Sequence, residues 1–291
     1  MSTEINFWDK IRILVTNRCN YKCPFCHNEG QTTIDGFQMM TYNQLVFIID
    51  SIKAESISEI CFSGGEPFLN HDIVKMIQYA NDNTDCDISC ASNLSLITDQ
   101  QINELAKTRV KFNIQFPYLD PKLFKQSTGN GQYERIIENV QKVKSAGIAI
   151  GLNTVIQSND VRFIEDMIEF AINNELPLKL LPQIGLQGSE NFKDSTFAIL
   201  RKYSDNCIDK GTGAYRWILR KNNHATTVLY IDAPCFTHDI VKCRQYGEVR
   251  ILPSLRIQTC LLKEATLNHY GNDKNKFIND LRLAWNNFRT C

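Results

Sequence analysis

No run of apolar residues in this 291-residue chain is long enough to cross a bilayer, so no membrane-spanning helix is expected. Neither sign of charge is in excess. The 32 Lys and Arg balance the 32 Asp and Glu, so no nucleic acid and no acidic membrane surface is expected as a partner. Internal repeats and low-complexity tracts are missing too. Met1 to Asn6 hold no basic segment followed by an apolar one, so no signal peptide is expected and the chain reads as a soluble cytoplasmic protein.

Cysteine, in contrast, is plentiful: there are 11. In a chain read as cytosolic, metal ligation or catalysis accounts for them better than disulfides. They are unevenly placed. Three crowd into Cys19–Cys26, and Cys235, Cys243, Cys260 and Cys291 fall in the last quarter. Cys61, Cys86 and Cys90 sit in expected strands and read as small buried hydrophobes, and Cys207 reads as structural.

The first two thirds alternate strand and helix patterns. Strands are expected at Ile11–Val15, Glu59–Phe62, Asp87–Ala91, Lys111–Gln115, Ile148–Val155 and Leu178–Leu181. Helices are expected after the Thr41–Gln44 capping box and over Asp72–Ala80, Thr98–Lys107, Tyr133–Ser145 and Val161–Asn174. Such alternation makes an α/β protein with a parallel sheet and right-handed crossovers. Six units are too few for a closed eight-fold barrel, so a curved partial (βα)6 barrel is expected over residues 1–205. Ligands in such folds sit at the carboxyl ends of the strands. Residues 206–291, with strands at Thr227–Ile231 and Glu248–Leu252, read as a small α+β cysteine-bearing module whose Trp217 and Trp285 serve packing.

Cys19, Cys23 and Cys26 leave the first strand at C-x3-C-x2-C spacing. A compact loop of this kind can wrap three thiolates around a 4Fe–4S cubane and leave the fourth iron open. The alternative is a structural zinc site, but zinc sites usually present two C-x2-C pairs and four ligands. Ser63-Gly64-Gly65-Glu66-Pro67 follows the second strand, where Gly64 and Gly65 allow close backbone approach to a ligand and Glu66 offers an acceptor. Ser92 and Asn93 follow the third strand, Gln115 ends the fourth and Asn153 lies on the fifth.

These motifs resemble the radical S-adenosylmethionine (SAM) superfamily, whose signature is C-x3-C-x-aromatic-C and whose second motif is GGEP. The resemblance implies a partial barrel, an open-iron 4Fe–4S cluster on Cys19, Cys23 and Cys26, and SAM bound near Gly64, Gly65, Glu66, Ser92, Asn93, Gln115 and Asn153. Within that superfamily the chain is similar to the GTP cyclase of molybdenum-cofactor biosynthesis, through Ile11–Asn20, Asn113–Phe124, Ala146–Ile148 and Asn153–Ile156. That family carries a second, auxiliary cluster on C-x2-C-x13-C. Here Cys243 and Cys260 match the outer positions, Tyr246 stands in the middle, and Cys235 or Cys291 could complete the set. Four thiols would close the auxiliary cluster; three would leave Cys291 free as a hydrogen donor. The family's Gly-Gly tail is replaced by Phe288-Arg289-Thr290-Cys291, and its paired arginines by Glu248 and Arg250. Both departures weigh against GTP. Arg12 and Arg250 remain as candidates for an anionic substrate group, with a surface ion pair as the alternative.

The resulting expectation is an enzyme that cleaves SAM and abstracts hydrogen from a nucleoside, sugar or other natural-product intermediate, with flavodoxin or ferredoxin as electron donor. Cyclisation, dehydrogenation or epimerisation could follow. A maturase acting on a precursor peptide is the second reading, although Cys19 comes early for an N-terminal peptide-binding domain. A non-catalytic iron–sulfur protein is the third.

Overall fold

The structure is a computed structural model that describes residues 8–27, 36–265 and 267–290. Strand β1 (Lys10–Leu14) leads through the thiol loop to helix α1 (Tyr42–Ile52). Units β2 (Glu59–Ser63) with α2 (Ile73–Asn83) and β3 (Asp87–Ser92) with α3 (Asp99–Leu105) follow. The fourth strand, β4 (Lys111–Gln115), precedes two helices, α4 (Pro121–Thr128) and α5 (Tyr133–Ser145). Next come β5 (Ala149–Ile156), α6 (Val161–Asn173), β6 (Leu178–Pro182) and α7 (Phe192–Leu200). The last third holds β7 (Cys207–Asp209), β8 (Ala214–Lys221), β9 (His224–Ile231), α8 (Ile240–Gln245), β10 (Glu248–Ile251), β11 (Arg256–Gln258), β12 (Leu267–Asn268) and α9 (Lys274–Asn287).

Local chemistry explains the starts of several helices. Thr41 and Gln44 form the expected capping box at α1, and Thr98 with Gln101 repeats it at α3. Asp120 caps α4 by accepting from the backbone N–H groups of Lys122 and Leu123, with Pro121 at the first helical position. That helix is absent from the sequence reading. Its eight residues carry only two apolar side chains, Leu123 and Phe124, and its ends are marked by Asp120, Pro121 and Gly129.

The twelve strands form one open sheet in the order β12-β11-β10-β1-β2-β3-β4-β5-β6-β9-β8-β7. The six expected strands are parallel neighbours, and the sheet does not close. The parallel run extends beyond them, because β10 pairs parallel with β1 and β9 pairs parallel with β6. Strands from the last third therefore continue both edges of the same sheet, and antiparallel strands cover them.

Side chains alternate across the strands. Ile11, Ile13, Ile60, Phe62, Ile88, Phe112 and Ile114 are buried against the helices, where Leu45, Ile48, Ile49, Met76 and Ile77 meet them. The intervening residues Arg12, Glu59, Cys61, Ser89, Asn113 and Lys179 share the inner face, where they contact one another. Cys207 departs from its expected structural role, since it lies exposed on the edge strand β7.

Trp217 ties the β8–β9 hairpin to the barrel. It is 1% exposed and packs edge-on against Phe197 of α7, with ring centroids 5.3 Å apart. Trp217→Ala is expected to cost about 3–5 kcal/mol through the cavity it leaves. A thermal melt checks this, and a loss below about 1 kcal/mol would show that the hairpin is not integral to the core.

Candidate active site

The loop after β1 has irregular backbone and is shaped largely from outside. Gly65 N–H donates to Thr16 O and Glu66 N–H to Arg18 O, both at 2.8 Å. Gly64 adopts φ 129°, and a Cβ there would collide with the Thr16 carbonyl; a Cβ on Gly65 would collide with that of Arg18. The two glycines thus admit the thiol loop itself. This differs from the expected close approach to a ligand: the backbone they meet is protein.

Glu66 is fully buried. Its Oε1 accepts from Phe68 N–H at 3.1 Å and Ser92 Oγ–H at 2.7 Å, and its Oε2 accepts from Asn93 N–H at 2.7 Å. Asn93 Nδ2 donates to Asn20 Oδ1, and Asn93 Oδ1 accepts from Ser95. Asn20 Nδ2 donates in turn to Ser95 Oγ. Glu66, Ser92 and Asn93, expected beside SAM, are therefore engaged in fastening the second and third strand ends to the thiol loop. A third clamp comes from α4. Lys22 N–H donates to Thr128 O at 2.8 Å, Asn130 Nδ2 donates to Asn20 O, and Tyr21 packs edge-on against Phe124. Asn70 completes the frame by donating to the carbonyls of Val15 and Met40. Of Asn20, Asn70, Ser95, Thr128 and Asn130, only the turn sequence Thr-Gly-Asn-Gly at 128–131 left any trace in the sequence.

The framed loop holds Cys19, Cys23 and Cys26 near one another, since charge on one thiol raises the pKa of another. Burial pushes Cys19 up to about 11 and Cys23 up to about 12, so binding iron releases protons. Among the described residues no three His, Cys, Asp or Glu side chains converge on a single ion. The thiols of a cubane bind separate irons and need not converge. Three thiolates of this softness on one short loop fit an iron–sulfur cluster.

Gln115 and Asn153 are register partners on β4 and β5. Gln115 Nε2 and Asn153 Oδ1 are buried with no hydrogen-bond partner, and each is expected to cost about 1–3 kcal/mol until a ligand meets it. Deeper in the lumen, Arg12 and Arg250 are register partners that converge on Glu248. Arg12 Nε and Nη2 donate to Glu248 Oε1 and Oε2 at 3.0 and 2.8 Å, and Arg250 Nε donates to Oε1 at 3.1 Å. Arg12 Nη1 also donates to Cys61 Sγ at 3.2 Å, so Cys61 is a polar contact as well as a small buried residue. Lys179 donates to Asn113 Oδ1 at 2.9 Å, and burial holds it below the ordinary lysine value.

In the last third, Cys235 and Cys243 both lie close enough to the Tyr246 phenol to add to its raised pKa, which burial chiefly sets. Cys260 is buried beyond β11. Cys291 lies outside the described residues.

Burial raises Glu66 to about 7, against 4.5 for an ordinary carboxyl. The folded chain therefore keeps a proton that the unfolded chain has released, and stability is lost as pH rises from about 4.5 through 7. Glu66→Gln is expected to flatten that part of the profile while losing one acceptor. Thermal melts of both proteins across the window check it; parallel profiles would refute the assignment.

The comparisons agree with this geometry. The model of the Radical SAM superfamily matches residues 13–171, more than half of the chain. The "Probable GTP 3',8-cyclase" of Sulfurisphaera tokodaii is 27% identical over 88% of this chain and 82% of its own length. The GTP 3',8-cyclase of Clostridium botulinum is 29% identical over 69% of this chain and 65% of its own. Among solved structures, Streptococcus suis SuiB bound to S-adenosylmethionine superposes with a TM-score of 0.72 at 15% identity. That match covers 96% of this chain, which spans 65% of SuiB. Among the described residues no helix is long and apolar enough to cross a membrane. By its family match, its open α/β sheet and the thiol loop at the carboxyl end of β1, the chain belongs to the Radical SAM superfamily, enzymes that work with a 4Fe–4S cluster and SAM.

Proposed function

We propose that the chain abstracts a hydrogen atom from a small polar molecule bound in the barrel lumen, with Cys19, Cys23 and Cys26 as cluster ligands. One observation carries the reading: the thiol loop is fixed from three sides at the strand ends, while β4 and β5 present the unmatched Gln115 Nε2 and Asn153 Oδ1. When bound, a cluster held by Cys19, Cys23 and Cys26 would supply the single electron for reductive cleavage of SAM. The chain's own residues bind, orient and exclude water. Gln115 and Asn153 offer a donor and an acceptor to SAM or substrate, and Glu66, Ser92 and Asn93 hold the loop that carries the ligands.

In this reading residues 1–205 form the catalytic barrel, and residues 206–291 carry an auxiliary cluster on Cys235, Cys243 and Cys260. Cys291 serves as its fourth ligand or as a hydrogen donor. A flavodoxin or ferredoxin supplies the electron. The relatives named GTP 3',8-cyclase support a nucleoside-like small molecule and a cyclisation. The extent of the fold match to SuiB, solved also with its precursor peptide SuiA, favours a peptide maturase as the second reading.

Anaerobically reconstituted protein with SAM and dithionite is expected to release 5′-deoxyadenosine, and Cys23→Ala to reduce that to background. An intact cluster that yields no product would sink the proposal. Marked stimulation by GTP would select the cyclase outcome, and stimulation by a precursor peptide alone the maturase. Cys243→Ala is expected to lower bound iron by roughly half while SAM cleavage continues; unchanged iron would remove the auxiliary cluster from the proposal.

A further inference from the structure

We propose that Glu248 is a specificity-determining residue that keeps oligophosphates out of the lumen and restricts the substrate to molecules with at most one negative charge at that point. The inference deepens the proposed function, since it rests on the lumen receiving the substrate.

Three cations and two carboxylates share the inner face: Arg12, Arg250 and Lys179 against Glu59 and Glu248. Glu248 accepts three hydrogen bonds from the two arginines, all within 3.1 Å. Burial alone would raise its pKa, but the charges of Arg12 and Arg250 overrule that and bring it down to about 2. It is therefore a carboxylate at any working pH. A triphosphate entering here would have to displace this internal anion from its bidentate partner, or sit beside it against its charge. Both oppose binding, and the second is direct like-charge repulsion. Lys179 is different, since its ammonium donates to the neutral Asn113 amide. The lumen thus carries one net positive charge over these five groups, which suits a single carboxylate or a neutral polar group.

The test is isothermal titration of the anaerobically reconstituted protein with GTP and, separately, with guanosine. The wild type is expected to bind GTP no more tightly than guanosine. Glu248→Gln removes the internal anion and is expected to raise GTP affinity about tenfold or more, leaving guanosine unchanged. A wild type that prefers GTP about tenfold or more overturns the proposal, as does a Glu248→Gln variant whose GTP affinity is unaltered. If that variant fails to fold, the wild-type comparison decides alone. 5′-Deoxyadenosine release from the same preparation with dithionite tests the radical chemistry independently, so failure of one claim is not mistaken for failure of the other.

Discussion

The rest of the site depends on two backbone hydrogen bonds, from Gly65 to Thr16 and from Glu66 to Arg18. They bring the segment after β2 against the loop after β1 so closely that neither glycine could carry a side chain. Within the described loop, Cys26 N–H donates to Cys23 O and Arg18 N–H to Thr16 Oγ1. The loop's conformation is also shaped by its neighbours. The Glu66 carboxylate reaches β3, Asn93 and Ser95 reach back to Asn20, and α4 holds Lys22. A ligand set ordered in advance spares the cluster the entropy of ordering the loop.

The same economy governs the lumen. An open barrel whose outer face takes the aliphatic residues leaves its inner face to polar ones, and each needs a partner. Arg12, Glu248, Arg250 and Cys61 satisfy one another, as do Glu59 with Ser89 and Lys179 with Asn113. Against that background the unmatched atoms of Gln115 and Asn153 stand out. Both lie near the strand ends, where chemistry in this fold takes place.

How much of this was legible follows from range. Strands and most helices of the first two thirds could be read from periodicity, because one face of each is buried and the pattern repeats within each element. The thiols and the glycine motif were legible because their chemistry restricts residue type. What the glycines approach was not, since Thr16 and Arg18 are joined to them only by the fold. Nor was the pairing of Arg12 with Glu248, 236 residues apart in the chain. β8 is missing from the expected strands: it alternates buried Trp217 and Leu219 with exposed Arg216, Ile218 and Arg220, and its strand character comes with the pairing to β9.

That pairing has a consequence for the last third. Because β9 extends the sheet beyond β6 and β10 extends it beyond β1, residues 232–247 run from one edge of the parallel set to the other. The connection enters β10 at Gly247, whose carbonyl accepts from Asp9 and Lys10 at the start of β1. Cys235 and Cys243 lie on this connection, with Tyr246 between them and the barrel edge in sequence. Glu248, only five residues past Cys243, is fixed to Arg12 across the same β1–β10 seam, so the connection and the lumen share one anchored strand.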